Sequence, residues 1–210
     1  LLSEDDDVAI GASAVVLYLL ANCILTEIIQ QKFPDQVMKP LPDEYEAFLG
    51  MKTRNIVETY FSTRISSWVK DHSDYYATDA LDVLQRSFED IPIQRNEYGV
   101  DGDHEKLYEK VSFHAVEIMK SLARLFAAKA EMNEDSEIRQ DLINFLMEHQ
   151  LFDWALLFEK DLNAFYLNIY NWSDYDECLF VNRHLERLLV QFGIITDQLD
   201  SGALYVHVDT

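Results

Sequence analysis

Basic residues are scarce in this chain: 17 Lys and Arg stand against 38 Asp and Glu, a formal net charge of −21. A nucleic-acid backbone is bound by clustered cations that displace its counterions. A surface this negative repels phosphate, so direct DNA or RNA binding is not expected. Anionic membrane surfaces are disfavoured for the same reason. The charge favours basic proteins, cations or neutral surfaces as partners.

Glycine is also sparse. The six glycines, at positions 11, 50, 99, 102, 193 and 202, never form the Gly-rich turn that lets backbone amides approach a phosphate. Rossmann and P-loop chemistry are thereby excluded, and no nucleotide cofactor is expected. Gly-x-Ser-x-Gly is absent, which removes the nucleophile-elbow hydrolases. With only four Pro, long helices and short connections are expected. Cys23 and Cys178 are too few and too far apart for a disulfide framework. Cys23 lies in an apolar stretch, and Cys178 sits among acids and aromatics without the cations that activate a thiolate. Both read as buried or inert thiols in a reducing compartment, which gives a cytoplasmic localisation. Asn171-Trp172-Ser173 matches a glycosylation sequon, with nothing else in the sequence pointing to secretion.

What the chain has is apolar and aromatic. It is 49% hydrophobic, with 12 Phe, 11 Tyr and 3 Trp, and acidic disordered chains lack such residues. Val8 to Leu25 is an uncharged run. The residues before it, Ser3-Glu4-Asp5-Asp6-Asp7, are acidic and unlike the basic start of a signal peptide. The run contains Gly11, Ser13 and Asn22 and continues in helical register through Thr26-Glu27-Ile28-Ile29. It reads as a central core helix over Asp6–Lys32, with a membrane anchor as the alternative.

Helical periodicity dominates the rest. Phe33 to Pro42 reads as a loop, and a short helix opens at Asp43 and ends near Gly50. Val57, Phe61, Ile65 and Trp68 mark one face of the next helix. Ala77, Leu81, Leu84 and Phe88 mark another, with Ser73 or Asp74 as its cap. Pro92, Gly99 and Gly102 predict a loop over Asp90–Gly102. Leu107, Val111, Ala115, Ile118, Leu122 and Phe126 give a long helix ending near Ala130. Asn133 reads as the cap of a helix carrying Ile138, Leu142, Phe145 and Leu146. Trp154, Phe158, Leu162, Phe165, Ile169 and Trp172 form a six-member stripe, and Val181, Leu185, Leu188 and Phe192 give the last helix. After Gly193, a hairpin is expected to pair Ile194-Ile195-Thr196 with Tyr205-Val206-His207. The expected fold is an all-α bundle of about seven helices around the hydrophobic N-terminal helix, with a small C-terminal β-hairpin. It reads as a single domain over residues 1–210. Residues 134–210 are the one candidate subdomain, since a helix followed by a short hairpin is how winged-helix modules end.

Catalytic and metal motifs are missing. The paired Glu-x-x-His of di-iron bundles and the His-Glu-x-x-His of zincins do not occur. His114 with Glu117, three apart on one helix, and His184 are the nearest metal-ligand candidates. Both histidines sit at the edge of apolar stripes, where a partly buried histidine satisfied by a neighbour is the simpler reading. His149 and Asp153 straddle a helix break. Asp101-Gly102-Asp103-His104-Glu105 fails the EF-hand pattern, with Lys106 where Gly is required and Ser112 where the bidentate Glu belongs. No metal or other cofactor is expected.

Two features suit recognition. Asp71 to Glu105 holds ten acids against only Arg86 and Arg95. Asp71, Asp74, Asp79, Asp82, Glu89, Asp90, Asp101 and Asp103 are its candidate contacts for a basic partner. Phe152 to Tyr175 is rich in aromatics, with Tyr166 and Tyr170 as candidate interface anchors. The function that follows is a non-enzymatic acidic protein-binding factor: an inhibitor, immunity-type protein, adaptor or accessory subunit docking on a basic protein. The alternatives are a helical metal-dependent enzyme built on His114, Glu117 and His184, and a winged-helix accessory subunit of a larger complex.

Overall fold

A computed structural model of the chain describes residues 4–34, 44–69, 72–131, 139–173, 177, 179–198 and 204–208. Seven α-helices lie among them: α1 (Glu4–Lys32), α2 (Glu44–Ser66), α3 (Ser73–Asp101), α4 (His104–Glu131), α5 (Gln140–Glu148), α6 (Phe152–Leu167) and α7 (Phe180–Gln191). A 3-10 turn over Ile169–Asn171 follows α6, and strands β1 (Ile194–Gln198) and β2 (Leu204–Val208) close the chain. The all-α bundle and its small C-terminal hairpin are thus as the sequence predicts.

The centre of the bundle is α4, and not the N-terminal apolar helix. Its sequence alternates large apolar residues (Leu107, Val111, Ile118, Leu122, Phe126) with small ones (Ser112, Ala115, Ser121, Ala123, Ala127), and all of these are buried. Small side chains let neighbouring helices close in on the remaining sides. The two serines satisfy their hydroxyls on their own helix, Ser112 donating to the Tyr108 carbonyl at 2.6 Å and Ser121 to the Ile118 carbonyl at 2.9 Å. Around α4 pack α2, α3, α6 and α7. One contiguous apolar core runs from Ala21 to Val208, so the segment from α5 to the hairpin shares its core with the rest of the bundle.

Helix α1 lies outside, along α2. Ala14, Ala21 and Leu25 face inward, and Asn22 accepts a 2.6 Å hydrogen bond from the Ser62 hydroxyl. Its outer face carries Val8, Val15, Val16, Leu19, Leu20 and Ile24, each 50% to 72% exposed. Cys23 is exposed on the same side, which corrects the reading of a buried thiol. The helix is apolar on every side, so nothing in its pattern marks a face for the core.

Three boundaries differ from the sequence reading. Residues 44–66 form one helix, since a single Gly50 costs only about 1 kcal/mol in a helix and does not end it. Trp68 then falls beyond the helix end, exposed, with its indole N–H on Glu131 at 2.8 Å. The expected Asp90–Gly102 loop is the second half of α3, with Pro92 inside the helix. Burial of Ile91 and the long packing against α4 hold that half helical. It stops at Gly102, whose φ of +68° turns the chain left-handed while its N–H donates to the Tyr98 carbonyl at 2.8 Å. The Trp154–Trp172 stripe is one apolar line on two elements: α6 ends at Leu167, and buried Ile169 and Trp172 continue it through the 3-10 turn. Neither Ser73 nor Asp74 caps α3, which starts after His72 without a side-chain cap. Asn133, Ile138 and most of the Phe33–Pro42 segment lie outside the described residues.

The hairpin forms between the expected segments, with the pairing shifted by one residue along β2 from the expected match. Ile194 pairs with Val208, Ile195 with His207 and Thr196 with Val206. Ile194 and Val208 are buried, β1 packing on α7 and β2 on α4.

Candidate functional site

Helical spacing gathers Asp79, Asp82, Glu89, Asp90, Glu97 and Asp101 on one side of α3. Half of these carboxylates face cations that the segment's own sequence does not contain. Arg124 of α4 lies 3.5 Å from Asp79, Lys106 lies 3.0 Å from Asp101 and 3.5 Å from Glu97, and Lys110 lies 3.3 Å from Glu97. The Glu97 carboxyl is held below its usual range, first by Lys110 and then by Lys106. The Asp101 carboxyl is lowered first by the Asp103 backbone N–H, then by Lys106. Asp103 caps α4, its carboxylate accepting the Lys106 N–H at 3.0 Å. Arg139 pairs with Asp141, and its pKa is raised by that carboxylate first and by Asp74 and Asp82 at longer range.

What remains open on α3 is smaller than the sequence suggests. Asp74, Asp82 and Glu89 are exposed and make no direct ion pair among the described residues. Asp90 is exposed 4.0 Å from the His114 ring. Asp71 lies outside the described residues.

The metal candidates do not converge. His114 turns Nδ1 toward the Ser87 hydroxyl at 3.3 Å, and burial lowers its pKa against the opposing pull of Asp90. Glu117 accepts from Lys120 at 2.9 Å. His184 is buried between Phe158 and Phe180, its Nε2 2.9 Å from the Asp161 carboxylate. Among the described residues, no group of three or more His, Cys, Asp or Glu could hold a metal. His149 packs between the Phe88 and Phe145 rings, beyond the end of α5.

The aromatic candidates separate. Tyr166 packs on Tyr60 and Phe61, with the Arg64 guanidinium over its ring at 4.0 Å. Arg64 also donates to Glu131 at 2.6 Å, to Asn163 at 2.7 Å and to the Tyr60 hydroxyl at 3.1 Å. Burial pushes the Tyr60 hydroxyl up to about 12. This cluster ties α2 to α4 and α6. Tyr170 lies on the 3-10 turn, 78% exposed.

A cleft of about 560 Å³ opens between the second half of α3, the end of α7 and β2. Phe88, Ile91, Pro92, Phe192 and Val208 make its walls apolar, and Arg95 reaches across to the Phe192 carbonyl at 3.4 Å. The sequence gives no sign of it, because a predicted loop hides the helix that forms one wall. The chain matches no family model, no curated protein and no solved structure.

Proposed function

We propose that the chain is a non-enzymatic acidic protein-binding factor, an inhibitor, adaptor or accessory subunit, that docks on a basic protein through the outer side of α3. The supporting observation is the cluster Asp82, Glu89 and Asp90. Among the described residues, these exposed carboxylates sit on one helix side without a Lys or Arg ion pair, in a molecule of net charge −21. A concentrated field of one sign speeds encounter with an oppositely charged partner and rejects like-charged competitors.

The test is a pulldown from the native host at low and high salt, repeated with Asp82→Lys, Glu89→Lys and Asp90→Lys combined. Capture of a basic protein that is lost at high salt and with the triple variant supports the reading. Unchanged capture removes this face from the function.

A second reading, a winged-helix accessory subunit, is favoured by the hairpin. Tyr205 and His207 project outward from β2 while Ile194 and Val208 anchor it. Tyr205→Ala with His207→Ala leaves that anchor in place; intact assembly with the double variant ends this reading.

A further inference from the structure

The outer face of α1 is left exposed by the fold. Between Asp7 and Glu27 the helix carries no ionisable side chain except Tyr18 and Cys23. Val8, Val15, Val16, Leu19, Leu20 and Ile24 stand half or more exposed along it. Together they present roughly 600 Å² of apolar surface, the size of the largest patch on a typical monomer.

Bilayer insertion fits this helix poorly in its folded position. Its inner side is bonded to α2 through Asn22 and Ser62, and α2 carries exposed Arg54 with its half-buried ion-pair partner Glu58. At its C-terminal end Lys32 donates to the Tyr170 carbonyl at 2.7 Å. Burying α1 in lipid would either break these bonds or bring the α2 charges toward hydrocarbon, at about 3 kcal/mol for each charged side chain at mid-depth.

We infer that this face pairs with the same face of a second copy, α1 against α1 in antiparallel orientation about a two-fold axis at Val16. The residue sizes are self-complementary about that point. The N-terminal half of the exposed face holds small residues (Ala9, Ala12, Ser13) beside Val8, and the C-terminal half holds large ones (Leu19, Leu20, Ile24) beside the small Cys23. Antiparallel pairing about Val16 sets Leu20 level with Ala12 of the second copy, Leu19 with Ser13, Cys23 with Ala9 and Ile24 with Val8. A two-fold interface requires this reciprocity: residue i meets j, and j meets i. Two faces of this size bury about 1,200 Å², the lower bound of a specific stable interface. The pairing uses α1 alone and leaves the acidic side of α3 open, so it stands or falls independently of docking on a basic protein.

Sedimentation of the full chain tests it. A dimer is expected at micromolar concentration, tightening as salt rises, because screening weakens the repulsion between two copies at −21. Val16→Glu places two like charges on the axis and is expected to weaken the dimer about a hundredfold or more, with helix content by circular dichroism unchanged. Ala12→Leu crowds Leu20 of the second copy and is expected to weaken it about tenfold.

A short bismaleimide fixes the orientation. With Cys178→Ser in place, Ala9→Cys is expected to link to Cys23 of the second copy. The parent with Cys23 alone is not, since antiparallel pairing keeps the two Cys23 about 21 Å apart along the helix. A monomer at all concentrations, Cys23-to-Cys23 linkage, or flotation of the protein with neutral lipid vesicles would each overturn the inference.

Discussion

His184 shows how one buried side chain makes stability depend on pH. Its Nε2 faces the Asp161 carboxylate, while Nδ1 is buried with no hydrogen-bond partner among the described residues. The neutral ring fits: Nε2–H donates to Asp161 and Nδ1 needs no acceptor. A second proton would bury an N–H without one, so desolvation lowers the pKa, against the opposing pull of Asp161. A histidine whose pKa falls on folding binds its proton better in the unfolded chain. Its contribution is therefore complete above about pH 6.5 and declines as pH drops below that value. His114 has the same sign. The carboxylates lowered by partners, Glu97, Asp101 and Asp141, lose their contribution only as pH falls below about 4. Melting temperature should thus fall in two stages on acidification, and His184→Gln should flatten the first; a melting temperature constant from pH 7 to 5 would contradict this.

Arg64 is the other residue with consequences beyond its size. Its guanidinium serves Glu131, Asn163, Tyr60 and the Tyr166 ring at once. Arg64→Ala would leave the partly buried Glu131 carboxylate without its cation, holding only the Trp68 indole N–H, and two polar groups without this donor, at a cost of about 3 kcal/mol. Arg64→Lys should recover only part of that, because an ammonium cannot make the planar fork. Denaturant unfolding measures both. The residue-type pattern gave no warning of this cluster, since its members lie on three helices far apart in sequence.

At the scale of elements, α3 carries the main discrepancy between sequence and structure. Pro92, Gly99 and Gly102 locally favour a break, but only Gly102 makes one. Pro92 cannot donate to the Phe88 carbonyl four residues earlier, and the helix tolerates the loss because α4 packs along it. Pro92→Ala restores that bond and should stabilise the protein by about 1–3 kcal/mol; a lower denaturation midpoint would show that the proline sets a bend the packing needs. Gly193 is the opposite case. Its φ of +76° begins the turn from α7 into β1, and an added Cβ would lie 2.7 Å from the Arg95 guanidinium. The flexible arginine can shift, so the backbone conformation dominates the cost of Gly193→Ala, about 1–2 kcal/mol.

For the whole molecule, the surplus negative charge opposes compaction. Raising salt should increase melting temperature even though it weakens the α3–α4 ion pairs, because those pairs are exposed and individually contribute little. A melting temperature that falls with salt would mean the pairs outweigh the general repulsion. The same charge sets the association behaviour: docking on a basic protein should weaken with salt, and pairing of two α1 faces should strengthen.

Local pattern sufficed for much of this. The regular stripes of α4 and α7 and the alternation and turn signals of the hairpin identified those elements, and positions at the edge of apolar stripes marked His114 and His184 as partly buried, which the structure deepens to full burial for His184. These features follow from periodicities that each segment carries alone. Tertiary structure decided the rest. Helix α1 is apolar all round, so only packing could show that α4, with small residues on its other sides, takes the centre and leaves α1 with a bare outer face. The acidic stretch of α3 is partly neutralised by Lys106, Lys110 and Arg124, residues that a reading along the segment cannot bring to its side. Charge and hydropathy belong to the sequence; which of them meets a partner and which meets water is settled only when distant helices come into contact.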